Sequence, residues 1–200
     1  EDYAHYLKER AKGGAGMVTL GSYGVHPSST YSFLNQDDRI IRRYRLIADL
    51  VHQFPVPVNA QLGHQGRVAG VRQRQVLDGD WLSIAPSAVP TPAFSYAQAM
   101  PHEMSTEEVE EIVAAFGAAA GRVASGGLDG VEVGIGSGNL IAQFLHSQSN
   151  RRTDKYGGAT MVERMTFLYE VLWAVRKALG PELLLGVRIN DDLVSYSIDY

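Results

Sequence analysis

The chain has 200 residues, with 18 Lys and Arg against 22 Asp and Glu, a formal charge of -4, and 45% hydrophobic residues, which suits one large or two small globular domains and not a disordered segment. That balance gives no reason to expect nucleic acid or an anionic membrane as partner, and no apolar stretch approaches the ~20 residues needed to span a bilayer. With no cysteine, disulfides, thiolate nucleophiles and Cys-ligated zinc or iron–sulfur centres are excluded.

The first residues are charged and polar and lack the pattern of a signal peptide, so a cytoplasmic protein is expected. The opening at Glu1, already within a helical pattern, reads as part of a longer protein. Residues 2–12 read as a helix stopped at Gly13-Gly14. Met17 to Leu20 is a short apolar run, and Gly21, Ser22, Tyr23 and Gly24 read as a loop after it. Over 37–53, Ile40, Ile41, Tyr44, Ile47, Ala48 and Val51 recur at helical spacing, and Arg39, Arg42, Arg43 and Arg45 read as its solvated face. A strand follows at 56–61, then a long, Pro-containing, irregular stretch from 65 to 104. Ser105 with Glu108 forms a capping box for a helix that ends at Gly126-Gly127. Gly130 to Val133 reads as a strand, Leu140 to Leu145 as a short helix, 147–158 as a polar loop, 161–179 as one amphipathic helix and Leu183 to Ile189 as a strand. Four β units joined by helical crossovers predict a parallel sheet, either doubly wound or a (β/α)₈ barrel.

Three places carry chemistry. The run Asn59-Ala60-Gln61-Leu62-Gly63-His64-Gln65-Gly66-Arg67 sets an amide, an imidazole and a guanidinium at a strand's carboxyl end, where α/β proteins bind ligands. Glu132-Val133-Gly134-Ile135-Gly136-Ser137-Gly138-Asn139 resembles the first motif of Rossmann-like S-adenosylmethionine methyltransferases. It lacks the acidic second strand such a fold wants about 20 residues on, and a plain tight turn is the competing reading. Arg188 is the one charge in an apolar strand. It either stabilises negative charge on a ligand or pairs with an Asp or Glu on a neighbouring strand. No His pair at metal-binding spacing, nucleophile elbow or phosphate loop is present.

Taken together these pieces resemble the old yellow enzyme family of FMN-dependent NADH:flavin oxidoreductases, which are TIM barrels. Gln61-Leu62-Gly63-His64-Gln65-Gly66-Arg67 matches Q-L-x-H-x-G-R after the third strand, and Ala85-Pro86-Ser87-Ala88-Val89-Pro90 resembles A-P-S-A-I-P. Asp129-Gly130-Val131-Glu132-Val133 matches the fourth strand, and Gly186-Val187-Arg188 the fifth. Gln143-Phe144-Leu145 followed by Ser149-Asn150-Arg151-Arg152-Thr153-Asp154-Lys155-Tyr156-Gly157-Gly158 matches Q-F-L-S-P-x-S-N-R-R-T-D-E-Y-G-G.

The resemblance implies one (β/α)₈ barrel domain of which residues 1–200 cover about strands 2–5. The first strand would lie before Glu1 and the FMN phosphate site after Tyr200, which leaves two open sheet edges. It implies FMN as cofactor, NADH or NADPH as reductant, a small-molecule substrate, hydride transfer through flavin N5, no nucleic acid or membrane partner, and an open question of homo-oligomerisation. Gln61 would bond the flavin pyrimidine edge, Arg188 would face N1 and O2, and Ser22 would offer backbone to the ring. His64 and Arg67 would be structural, and the Asn150–Gly158 loop would shape the barrel mouth. The sequence departs from the family where the fourth strand usually ends in H-x-x-H/N-x-Y, two donors and a proton-giving Tyr. The aligned residues are Gly134, Ser137 and Asn139. Ser137 and Asn139 can donate hydrogen bonds, but neither is a useful acid near neutral pH. That argues against ordinary enone reduction by the usual donors. It leaves activated C=C reduction with Ser137 and Asn139 as partial replacements, and amine oxidation or N-demethylation, which needs no carbonyl clamp. A methyltransferase and a catalytically silent barrel are the readings outside flavin chemistry.

Overall fold

The computed structural model describes residues 2–69, 83–90, 100–136 and 138–189. In chain order these hold α1 (Asp2–Lys12), β1 (Val18–Gly24), β2 (Phe33–Leu34), α2 (Arg39–Val51), β3 (Val58–Gly63), a 3₁₀ turn (Gly66–Val68), β4 (Ile84–Ala85), β5 (His102–Glu103), α3 (Thr106–Ser125), β6 (Gly130–Gly134), α4 (Leu140–Leu145), α5 (Met161–Arg164), α6 (Thr166–Leu179) and β7 (Leu184–Arg188).

The helices form where the apolar spacing and caps predict them. α3 starts on the Ser105–Glu108 capping box and buries Val109, Ile112, Phe116, Ala119, Ala120 and Val123 along one stripe. Phe116 is fully buried, so truncating it to Ala would cost roughly 3–5 kcal/mol. α2 buries Ile40, Tyr44, Ile47, Ala48 and Val51, while Arg39, Arg42, Arg43 and Arg45 face outward. Arg39 pairs with Asp37 at 2.6 Å, and that guanidinium holds the Asp37 carboxyl at about 2.

Every strand pairing is parallel, and the main sheet runs β2-β1-β3-β6-β7. The longer strands lie in chain order and the order never reverses, so the sheet has no switch point of the doubly wound kind. One face carries Val18, Leu20, Tyr23, Val58, Ala60, Leu62, Val131 and Val133 into a single core with the buried residues of α1, α2, α3 and α6. Helices on one face of a parallel sheet that does not reverse make an arc of a (β/α) barrel, which decides between the two architectures the sequence allows. At the foot of β6 the opposite face needs glycine. A Cβ on Gly130 would stand 2.4 Å from the Leu184 carbonyl oxygen, so β7 could not lie where it does.

Three boundaries differ from expectation. Gly21 to Gly24 are strand and not loop: β1 runs to Gly24 through an irregular register between Leu20 and Tyr23, where Gly21 and Ser22 bulge. β3 begins at Val58 and continues to Gly63, so Gln61 lies within the strand. The single helix expected over 161–179 is two, because Thr160 and Glu163 form a second capping box and the chain breaks at Met165. β7 is at a sheet edge: Leu184, Val187 and Ile189 are exposed, and so is Arg188.

Candidate functional site

The polar face of the sheet brings one side chain from each of four adjacent strands into a row. β1 supplies Ser22, whose hydroxyl donates to Gln61 Oε1. β3 supplies Gln61, whose Nε2 donates to Glu132 Oε1 at 2.6 Å. β6 supplies Glu132, and the same oxygen accepts from Arg188 Nε on β7 at 3.0 Å. The register explains the convergence. Gln61 lies beside Glu132, Glu132 beside Gly186, and Gly134 beside Arg188, and residues paired across parallel strands or two apart along one strand share a face.

Glycines leave room along this row. A Cβ on Gly134 would find nothing nearer than the Leu62 carbonyl at 3.5 Å and Gln61 Cδ at 3.8 Å, and one on Gly186 nothing nearer than the Val131 carbonyl at 3.9 Å. The result is a low surface flanked by an amide, a carboxylate and a guanidinium. Such donors and acceptors suit the hydrogen-bonding edge of a planar heterocycle, and the missing side chains leave a place for its rings.

Beyond the strand ends the loops are tied to one another. His64 is buried, and that desolvation, with His26 nearby, pushes its ring down to about 3. It is therefore neutral. Gly66 N–H donates to its Nδ1 at 2.9 Å, so the proton sits on Nε2 and is given to Ser28 Oγ at 2.8 Å. Ser28 passes on its own hydroxyl proton to His26 Nδ1 at 2.7 Å, and His26 Nε2 reaches Glu111 of α3 at 3.2 Å. Gln143 of α4 joins the same rim. Its Oε1 accepts from the Arg67 amide at 3.2 Å, and its Nε2 donates to the carbonyls of Gln65 and Gly138 at 3.0 and 2.7 Å. Gly66, at φ +58°, makes this approach possible, since a Cβ there would lie 2.5 Å from Gln143 Oε1.

The loop after α4 is fastened just as firmly. Asn150 Nδ2 donates to the carbonyls of Phe144 and Tyr156 at 2.7 and 2.8 Å, and Arg151 N–H donates to Ser87 Oγ at 3.0 Å. Arg152 bonds the carbonyls of Pro86 and Met104 and pairs with Asp154, whose carboxyl that guanidinium holds below its ordinary value. The 146–158 and 85–90 loops thus form one unit.

The structure brings Ser22, Gln61 and Arg188 together. Ser22 does so through its hydroxyl, toward Gln61. Arg188 makes the ion pair with a neighbouring strand that was its alternative reading, but its side chain is 61% exposed, so the guanidinium is not the buried charge the apolar strand suggests. His64 and Arg67 are buried in the rim, where Arg67 Nη1 reaches the Val89 and Pro90 carbonyls at 3.3 and 3.4 Å. Asn139 sits at the N-terminus of α4 and does not cap it with its side chain. Ser137 lies outside the described residues. The methyltransferase reading of the glycine turn is overturned, since the sheet is not Rossmann-like and the first amide of α4, Leu140 N–H, is already given to the His64 carbonyl at 2.8 Å. Glu132 is the residue the sequence reading passes over. Its signal is the one that marks Arg188, a single charge in an otherwise apolar strand.

Residues 1–196 match the model of the NADH:flavin oxidoreductase / NADH oxidase family. The chain is 38% identical over 186 residues to the "Metal reductase" of Desulforamulus reducens, covering 92% of this chain and 26% of that one. It is 33% identical over 193 residues to the "Multifunctional alkene reductase/demethylase OYE" of Caballeronia cordobensis, covering 94% and 27%. The solved structure of morphinone reductase superposes with a TM-score of 0.79 at 28% identity, covering 93% of this chain and 52% of that one. The chain thus spans about a quarter of the length of those two curated relatives and half that of morphinone reductase.

Proposed function

The chain belongs to the NADH:flavin oxidoreductase / NADH oxidase family, and from that premise we propose that its row of Ser22, Gln61, Glu132 and Arg188 is the flavin-edge site of an FMN-dependent oxidoreductase. The observation that carries this is the meeting of a carboxamide and a guanidinium, from separate strands, on one carboxylate beside two glycines that a Cβ would crowd no closer than 3.5 Å. FMN, when bound, supplies hydride exchange through its N5, with NADH or NADPH as the reductant.

The chain's own residues then divide the work. Gln61 would present a carboxamide to the pyrimidine edge, with Glu132 fixing its orientation. Arg188 would offer its fork to N1 and O2. In sequence Ser137 aligns with the family's second substrate donor and Asn139 with its Tyr, and as donors without acidic protons they would orient a substrate and not protonate it. Gly134 leaves space in place of the first donor. That space supports a second substrate class, N-methylated amines, whose oxidation needs no carbonyl clamp, and one relative's printed name joins both chemistries.

The test is the visible spectrum of the full-length protein after loading with FMN. Bound flavin is expected, with affinity falling at least tenfold in Gln61→Leu and Arg188→Ala. A full-length protein that takes up no FMN sinks the proposal. Anaerobic mixing then separates the substrates: an amine that bleaches the oxidised flavin supports demethylation, and an enone that restores the colour of the NADPH-reduced flavin supports alkene reduction.

A further inference from the structure

We infer that Glu132 sets the reduction potential of the flavin by opposing the charge of Arg188, an assignment that rests on the FMN reading above. One carboxylate oxygen, Oε1, is shared by the two groups that would hold the ring: Gln61 Nε2 at 2.6 Å and Arg188 Nε at 3.0 Å. The Glu132 side chain is only 17% exposed, whereas that of Arg188 is 61% exposed. The negative charge is therefore the less screened member of the pair.

Two consequences follow from that placement. The Gln61 carboxamide has one orientation. Glu132 takes a proton from Nε2, and a flipped amide would set its oxygen against the carboxylate and lose that bond, whereas the Ser22 hydroxyl can donate to Oε1 or accept from Nε2. Arg188 is held at Nε, and its two terminal nitrogens have no hydrogen-bond partner among the described residues. The carboxylate fixes both groups and at the same time weakens the field of the cation it fixes.

The redox balance shows where that field acts. A dihydronicotinamide breaks its C–H bond and passes a hydride, two electrons and one proton, to the oxidised ring, and leaves as the nicotinamide cation. The ring gains an N–H bond at N5 and one negative charge, spread over N1 and O2. Arg188 attracts that charge and Glu132 repels it. Removing the Glu132 charge while keeping its shape must shift the equilibrium toward the reduced ring.

The experiment is a midpoint-potential titration of the FMN-loaded full-length protein, wild type against Glu132→Gln, Glu132→Ala and Glu132→Asp. Glu132→Gln is expected to favour the reduced flavin about tenfold, a rise of about 30 mV for a two-electron couple. Glu132→Ala must move it the same way, and Glu132→Asp, which keeps the charge, must stay within about threefold of wild type. An unmoved or lowered potential in Glu132→Gln overturns the inference, as does a rise in Glu132→Asp equal to that in Glu132→Gln. If Glu132→Gln and Glu132→Ala both fail to fold while Glu132→Asp folds, the carboxylate is a strand tie and the inference is again overturned. A wild-type protein without flavin overturns the underlying reading and the inference with it. A flavin-bearing wild type whose potential ignores the Glu132 charge overturns only the inference.

Discussion

Lowering the pH should loosen the rim of the site through one residue, His64. Its ring is buried and neutral, with a folded value of about 3 against 6.5 in the unfolded chain. Between those two values the unfolded chain binds the proton and the folded chain does not. Stability is therefore fully retained above 6.5, falls as pH drops through 6.5, and stops falling from this cause near 3. Each unit is worth about 1.4 kcal/mol, so at pH 5 the loss assigned to His64 is about 2 kcal/mol. His64→Asn isolates it. The shorter amide can still accept from the Gly66 N–H but loses Ser28, which costs about 1–3 kcal/mol at any pH. Urea unfolding of the full-length protein at pH 7.5 and pH 5.0 gives the answer. The variant should be the less stable at pH 7.5, and its deficit should shrink by about 2 kcal/mol at pH 5.0. Carboxylates such as Asp37 and Asp154 weaken in acid in both proteins and cancel in the comparison. A deficit that does not change with pH would show that His64 is not a buried neutral ring.

Gly66→Ala should destabilise by about 2–4 kcal/mol, from a left-handed backbone and a Cβ 2.5 Å from Gln143 Oε1, read as a lower urea midpoint with an unchanged slope. Gly134→His restores a donor at a position where a Cβ meets only ordinary contacts. It should raise kcat/KM for an enone about 10²-fold in the FMN-loaded protein, and no gain with flavin bound would show that the alkene pocket lies elsewhere. The 200 residues expressed alone should show no cooperative melting transition, because β7 exposes Leu184, Val187 and Ile189 along its open edge. Cooperative melting together with tight FMN binding would refute that.

The helices were legible because each pairs an apolar stripe with a recognisable end, as α3 does with Ser105, Glu108 and Gly126. β1 was not legible past Leu20, because the Gly21-Ser22 bulge has the composition of a turn while the strand continues through it. The break at Met165 hides within a continuous helical period, and only the Thr160–Glu163 box betrays it. Gln61 could be read because it heads a polar run at a strand's carboxyl end, and Arg188 because it is a charge out of place in an apolar strand. Glu132 obeys the same rule, but its strand also begins a glycine-rich turn, which drew the reading toward that turn. No local pattern could find the His64–Ser28–His26–Glu111 relay, since its members come from two loops and a helix far apart in the chain.

Gly130 and Gly134 stand four positions apart on one strand and point the same way, yet substitution would meet opposite fates. At the foot of β6 any side chain drives β7 off the sheet. At its head a Cβ meets only ordinary contacts, the Leu62 carbonyl at 3.5 Å and Gln61 Cδ at 3.8 Å, on the face that carries Gln61 and Glu132. A lineage carrying this scaffold can therefore accept a methyl group at position 134 with its strands in place, and must leave position 130 alone.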